Sequence, residues 1–418
     1  MLDEDTRFDW AESAERQREV ARDMQRKMNE LVRTRTTDRE AGPMRNDPAA
    51  YTDPQWFEAE KREIFRKMPI LVGLTRDIEK PGDKMLFDAV GPSILILRKK
   101  DGTVGAYLNM CPHRAAKVVT DCSRNSSRMT CPFHGWTFDL EGKLIGFPGK
   151  EGFEGIDREE IGLIKVPVAE RHGMIFVIAT PGDQEIDIDA HLGDFGPELA
   201  QLGLEHAKPV RKSRLDVDAN WKYALDTYGE GYHFSTLHPT SIGLSAMTDV
   251  MLYQGFGPHH RLGFPHVSAA EESQKPESEW AEKPYGGIHM MFPNTVFNIS
   301  TLERYSADGV PTIGDNKGPD HAFGIYRMFP GDEPGKAFTM MATYRTGRID
   351  DEEDTTPWEQ FHDFIDNVVR TEDYSVSKDG QNNLEYAPED FRMIYGSNEI
   401  SLQRFHRQIA RRIGRPID

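Results

Sequence analysis

Two short Cys–His pairs constrain this chain more than anything else in it. Cys111-Pro112-His113 and Cys131-Pro132-Phe133-His134 are separated by the 17 residues 114–130. Thiolate and imidazole donors together suit zinc or iron. A structural zinc site usually sets its pairs on knuckles or a helix. Here each pair runs Cys then His, and Pro, Arg or Gly follow as in a tight loop. The flanking segments MPILVGL, KMLFDAV, SILILRKK, GAYLNM and GMIFVIAT are short apolar or alternating runs. Gly, Pro and Asp punctuate them, so residues 66–180 read as β-rich.

Two cysteines on one iron and two histidines on the other are the ligand set of a Rieske [2Fe–2S] centre. Four donors, two spacings and a β context all agree with that reading, and zinc is the competing one. Gly135 has no Cβ, so backbone N–H groups can approach the sulfurs there. Cys122, on the loop between the pairs, has no second cysteine to pair with and reads as an incidental thiol.

A chain of 418 residues is too long for one small core, which implies two domains. The net charge of −18 argues against a nucleic-acid partner. The densest basic group, Arg407, Arg411, Arg412 and Arg415, reads as a solvated or subunit-facing helix end. Three cysteines make no disulfide framework, and MLDEDTRFDW is no secretory signal. No apolar run reaches the ~20 residues that span a bilayer. These features point to a cytoplasmic protein with no membrane partner.

Residues 1–50 form an N-terminal arm, helical over 9–35, with a Pro/Gly/Asn-rich linker at 41–54. Residues 51–182 form the β-rich cluster domain, and 183–418 a second domain. In the second domain, strand-like HMMFPNTVFNIS and KAFTMMATYRT alternate with helical patterns at 219–238, 357–384 and 398–413. That mixture is α+β. The polar segment 269–284 reads as a loop.

A cluster that moves one electron at a time needs a consumer. His233 and His238 are five residues apart, which on a regular helix is about 140° around the axis. They converge if the helix ends or bulges between them, and Pro239 disfavours helix at His238. Two histidines and a carboxylate on one face of an iron form the triad of non-haem Fe(II) oxygenases.

With these residues in hand, the chain from about 45 to 410 resembles the α subunit of the Rieske non-haem iron oxygenases, the aromatic-ring-hydroxylating dioxygenase family. The carrying motifs are the Cys/His pairs and Asn220-Trp221-Lys222…Glu230-Gly231-Tyr232-His233-x4-His238. The resemblance implies a Rieske domain followed by a helix-grip-like catalytic domain with an antiparallel sheet. It implies one [2Fe–2S] cluster held by Cys111, His113, Cys131 and His134, and one mononuclear Fe(II) held by His233 and His238. The family's E-D-x7-Q-x-x-L pattern fits Glu372-Asp373…Gln381-Asn382-Asn383-Leu384 and implies Asp373 as third ligand. Glu372 is its nearest rival, with Asp379 and Asp366 behind. Glu230 is implied as the carboxylate that bridges cluster and iron across a subunit boundary. The ring dioxygenases carry Asp there, and some members acting on N-methyl or other non-ring substrates look Glu-bridged. Asp226-Thr227 stands where many relatives have Glu-Asn, and Asp226 is a catalytic candidate with Glu230.

The implied function is the terminal oxygenase of a multicomponent system, taking a small apolar or aromatic molecule and O₂. Ring dihydroxylation comes first, and monooxygenation, including O- or N-demethylation, is the alternative. Tyr228, Phe234, Leu237, Ile288, Met290, Phe292 and Phe297 are pocket candidates. His289 reads better as a sheet histidine with satisfied hydrogen bonds. The chain has no GxGxxG strand–helix unit and too few cysteines for a ferredoxin, so a separate reductase, with or without a ferredoxin, supplies electrons from NAD(P)H. The implied assembly is a homotrimer, with or without a small β subunit. Two other classes stay open: a Rieske electron carrier without catalysis, and a zinc-bound structural protein.

Overall fold

The β-rich segments fold as short antiparallel ladders because Gly, Pro and Asp end each run after four or five residues. The computed structural model describes residues 9–121, 126–283, 285–301, 304–305, 311–312, 321–346 and 354–415. Cys122 lies outside them. Two compact units result, one built on residues 61–191 and 204–207, the other on 9–60, 192–203 and 208–418.

The first unit contains three three-stranded sheets. One pairs Met174–Val177 with both Ile70–Leu74 and Val168–Arg171. The second runs Lys84–Phe87, Ile94–Arg98, Val104–Leu108. The third is the small meander Met129–Thr130, Thr137–Phe138, Leu144–Gly146. Leu95, Leu97, Tyr107, Phe138 and Leu144 form one core with Cys111, Cys131 and Trp136. The two cysteines are therefore set on a packed floor, and the loops above them carry the histidines.

The second unit is organised by a seven-stranded antiparallel sheet. Its order is Lys208–Val217, Ala337–Thr346, His321–Pro330, Thr295–Thr301, Gly287–Met291, His259–Gly263, Leu252–Phe256. Register assigns the side chains to faces. Ile288, Met290, Val296, Asn298, Tyr326 and Met341 share one face, while His289, Phe297 and Ile325 share the other. HMMFPNTVFNIS is thus two strands and a turn at 292–294, not one run.

Among the helices of the second unit are α1 (Trp10–Thr34), α2 (Trp221–Asp226), α3 (Thr356–Val368), α4 (Tyr374–Leu384) and α5 (Ile400–Ile413). A π-helical turn, Val369–Asp373, joins α3 to α4. α3 rests on the first sheet face through His362, whose ring nitrogens meet Thr343 Oγ1 at 2.9 Å and Ser213 Oγ at 3.0 Å.

α1 buries Ser13, Gln17, Ala21, Met24 and Gln25 at helical spacing. It packs on segment 269–283, which contains two single helical turns. Gln25 Nε2 donates to Ala281 O at 2.9 Å, and Arg22 and Arg26 pair with Glu277. The segment read as a loop is therefore strapped down by the arm. At the other end, Arg411 and Arg412 lie exposed in the last turn of α5, where the helix dipole favours cations.

Candidate metal centres

The two Cys–His loops are built alike. In each, the residue four after the cysteine adopts a left-handed backbone and donates its N–H to the cysteine carbonyl. Ala115 does so at 2.8 Å with φ +62°, and Gly135 at 3.0 Å with φ +72°. The cysteine N–H then donates to the next carbonyl, Ala116 O or Trp136 O, at 2.8 Å in both loops. Gly135 suits this geometry and Ala115 does not, since a Cβ in that region costs about 1–2 kcal/mol. Ala115→Gly should therefore stabilise the first unit by roughly 0.5–1 kcal/mol after the entropy that glycine adds to the unfolded chain. The check is a denaturant midpoint followed through cluster absorbance.

His113 stacks flat on Trp136, with ring centroids 5.0 Å apart and planes 5° apart. Its ring lies 4.6 Å from that of His134. Phe147 and Phe153 pack around the indole. Cys111 and Cys131 are each 2% exposed and unbridged. Burial pushes the Cys111 thiol up, and the neighbouring Cys131 adds to that. Two buried thiols and two converging imidazoles fit a cluster that takes up thiolates on one side and imidazoles on the other.

In the second unit, Asn220 caps α2, its Oδ1 accepting from Lys222 N at 3.1 Å. The helix stops at Asp226. A turn carries Glu230, and one further helical turn, Phe234–Leu237, comes after it. His233 immediately precedes that turn and His238 immediately follows it. The five-residue spacing converges because helix is confined to the residues between them. The π-helical turn falls under Asp373 instead. Gly243 keeps the arrangement tight, since a Cβ there would lie 2.5 Å from Phe234 O and 2.6 Å from His238 O.

His233, His238 and Asp373 offer ligand atoms that all lie within 4.8 Å of one another. Asp373 Oδ1 is 3.4 Å from His238 Nε2 and 3.7 Å from His233 Nε2. Donors bound at about 2.1 Å and roughly right angles sit about 3 Å apart, so this set closes on one ion with little movement. The other ring nitrogens are also committed. His233 Nδ1 meets Glu230 Oε1, and His238 Nδ1 meets Glu372 Oε2 at 2.7 Å. Ser241 Oγ donates to Glu372 at 3.0 Å. Each imidazole is held between a carboxylate outside and the common point inside, the arrangement that fixes tautomer and aim of a metal-binding histidine. Burial works against charge on His238, but Asp373 and Glu372 outweigh it and hold its imidazole above the ordinary range. Such a site favours a cation.

This geometry separates the rival carboxylates. Asp373 faces the Nε2 atoms, and Glu372 orients His238 from behind. Asp366 pairs with Arg370 and Ser213, and Asp379 is exposed. Glu372→Gln should weaken iron binding about 10–100-fold while leaving the cluster intact. Competition with a calibrated chelator measures it.

The remaining sequence candidates divide. Phe234 lies against both histidines, ring centroids 5.0 and 6.2 Å away. Half-buried Tyr228 packs 5.6 Å from Tyr326, and half-buried Leu237 is on the same turn as Phe234. Ile288 and Met290 lie on the sheet face that carries Tyr326. Two other candidates lie elsewhere: Phe297 points to the opposite face, in register with His289, and Phe292 sits past the strand end against Phe405 at 6.1 Å. His289 Nε2 meets Tyr285 Oη at 2.8 Å, while its buried Nδ1 has no hydrogen-bond partner among the described residues, so only one of the two ring nitrogens is satisfied. Asp226 is the last residue of α2, buried beside the turn that carries Glu230. There it accepts from Tyr51 Oη at 2.6 Å and meets His406 Nε2 at 2.9 Å. Sequence reasoning missed Glu60, which is fully buried and binds Lys222 Nζ at 2.6 Å and Trp221 Nε1 at 2.7 Å.

Residues 204–415 match the family described as ring hydroxylating alpha subunit (catalytic domain), and residues 68–165 match the Rieske [2Fe–2S] domain. The carnitine monooxygenase oxygenase subunit of Acinetobacter baumannii is 28% identical over 252 residues, 60% of this chain and 66% of that one. The chlorobenzene dioxygenase subunit alpha of a Cupriavidus strain is 30% identical over 271 residues, 59% of each. The matched stretches therefore span less than two thirds of either relative. A quaternary ammonium Rieske monooxygenase solved with L-carnitine shares the fold, with a TM-score of 0.71 at 23% identity, over 89% of this chain and 96% of that one.

Proposed function

Because this chain belongs to the ring-hydroxylating alpha-subunit family and carries a Rieske [2Fe–2S] domain ahead of the catalytic one, we propose that it is the terminal oxygenase component of a monooxygenase system. We place a quaternary ammonium or other N-methyl compound as its substrate. The motifs by themselves rank ring dihydroxylation first. The likeness to a carnitine monooxygenase supports the non-ring alternative instead. The single observation that carries the choice is Glu230, a glutamate seated on His233 Nδ1 where the ring dioxygenases have the shorter aspartate. Tyr228 and Phe234 beside the ligands offer aromatic faces that suit a trimethylammonium group.

In this reading, Cys111, His113, Cys131 and His134 hold the cluster, and His233, His238 and Asp373 hold the iron. When bound, the iron activates O₂ for insertion into a C–H bond. Per turnover, R–H, O₂, two electrons and two protons give R–OH and water. The electrons come from NAD(P)H through a separate reductase. Glu230 and Glu372 fix the aim of the histidines, and Phe234 keeps water from their inner side. The proposal includes a cytoplasmic homotrimer, with Glu230 of one copy receiving the cluster histidines of the next. Among the described residues, no helix is long and apolar enough to cross a membrane.

The test is turnover under ¹⁸O₂ with a reductase, offering L-carnitine, glycine betaine and naphthalene in parallel. One labelled atom in a product of an ammonium substrate supports the proposal. A doubly labelled cis-diol from the hydrocarbon restores ring dihydroxylation.

A further inference from the structure

Glu399 belongs to neither ligand set, yet the fold brings it to the iron side. It occupies the N-cap position of α5 but its side chain turns back from the helix, Oε2 accepting from Gly396 N while its own N–H donates to Gly396 O at 3.0 Å. The first turn of α5 packs directly on the turn that carries Glu230. Leu402 Cδ1 and Ser401 Oγ lie 2.3 and 3.0 Å from where a Cβ on Gly229 would be. Asn398 shares a small cavity with Gly231 and Tyr232.

Three carboxyls therefore gather here, and two are engaged. Asp226 is held by Tyr51 and His406. Glu230 is held by His233 and by the N–H groups of Tyr232 and His233. Among the described residues Glu399 forms no ion pair, and its Oε1 has no hydrogen bond. The groups facing it are Asp226, Glu230 and His233, and Arg404 on its own helix is paired with Glu40. We infer that Glu399 is a proton-positioning residue of the oxygenase: it keeps a proton beside Glu230, gives it up as an electron crosses, and recovers it from water. The inference rests on the reading of Glu230 as the electron bridge.

The atoms balance without a new reagent. Each turnover consumes two protons, and Glu399 donates one from Oε1 to water on the iron side and takes one back from solvent. Burial pushes its carboxyl up to about 7, with Glu230 and Asp226 adding to the rise and His233 opposing it. The proton is therefore present below neutrality and lost as pH rises through that value.

The test uses the dithionite-reduced holoenzyme mixed with O₂ alone as probe. Cluster reoxidation is followed by absorbance between about pH 5 and pH 9. The wild-type rate should fall above about pH 7. Glu399→Gln should lose that limb and run at least roughly tenfold slower at low pH, with iron and sulfide content unchanged. Glu399→Asp should keep a limb, and it decides the matter if the Gln variant loses iron. A flat wild-type profile, or a limb that survives in Glu399→Gln, overturns the inference. Glu230→Gln separates the two readings: if it leaves reoxidation unchanged, the bridge itself fails. If it slows reoxidation while Glu399→Gln matches wild type, only Glu399 falls.

Discussion

Asp373→Ala should remove the mononuclear iron from every chain and leave the two cluster irons and their sulfides in place. Among the described residues, Asp373 is the one carboxylate whose oxygen faces both inward nitrogens, at 3.4 and 3.7 Å. Removing it leaves two imidazoles, and two neutral donors hold Fe(II) weakly. Losing an outer partner such as Glu372 costs about 10–100-fold in affinity, so losing a ligand must cost more. The visible Rieske spectrum and its reduced EPR signal should be unchanged, because Asp373 lies in a different unit from Cys111 and Cys131. Product formation should drop below detection. The check is iron, sulfide and zinc analysis beside a turnover assay. Retention of all three irons in the variant would move the third ligand to Glu372, which the Nδ1 contact argues against. The wild-type analysis also decides between classes: zinc without sulfide would return the chain to a structural role, and a protein with cluster iron alone would be an electron carrier.

The proposed ligands are legible in the sequence because their chemistry needs fixed residue types at fixed spacing. Cys-x-His, Cys-x-x-His and His-x4-His survive any uncertainty about helix ends. Asp373 was legible only through its family pattern, and the structure supplies the physical reason for that pattern. Gln381 Oε1 accepts from Asn220 N at 3.1 Å, so the Gln that comes after Asp373 locks α4 to the cap of α2. Two motifs about 150 residues apart are one structural joint. Glu372 stays a rival to Asp373 in the sequence because adjacent acidic residues look alike there, and the π-helical turn that aims them apart has no simple sequence signature. The faces of Phe292 and Phe297 are hidden for a different reason. A period of two assigns faces only while a strand continues, and the turn at 292–294 resets the register. Glu60 left no trace in the sequence pattern, since its partners are 161 and 162 residues away.

That hidden partner sets the second large effect. Glu60 and Lys222 are both 0% exposed, and Lys222 Nζ lies 2.6 and 2.7 Å from the two carboxylate oxygens. Burial pushes the Glu60 carboxyl up and the Lys222 ammonium down, and each resists the other's shift by its charge. A pair in that state gains little over an apolar pair but is costly to break. Lys222→Met should destabilise the catalytic unit by about 3–5 kcal/mol, because Glu60 is left buried with only the Trp221 N–H. For a unit of this size that is a loss of roughly 10 °C in Tm. Glu60→Leu should cost a similar amount by stranding Lys222. Glu60→Leu with Lys222→Met should recover most of both losses, since no uncompensated charge remains. Calorimetry on the three variants measures the coupling. α2 leads directly into Glu230 and His233, so iron content should fall in the single variants and return in the double. Additive losses would mean that the pair is not a unit and that Trp221 and Asn220 seat the iron helix without it.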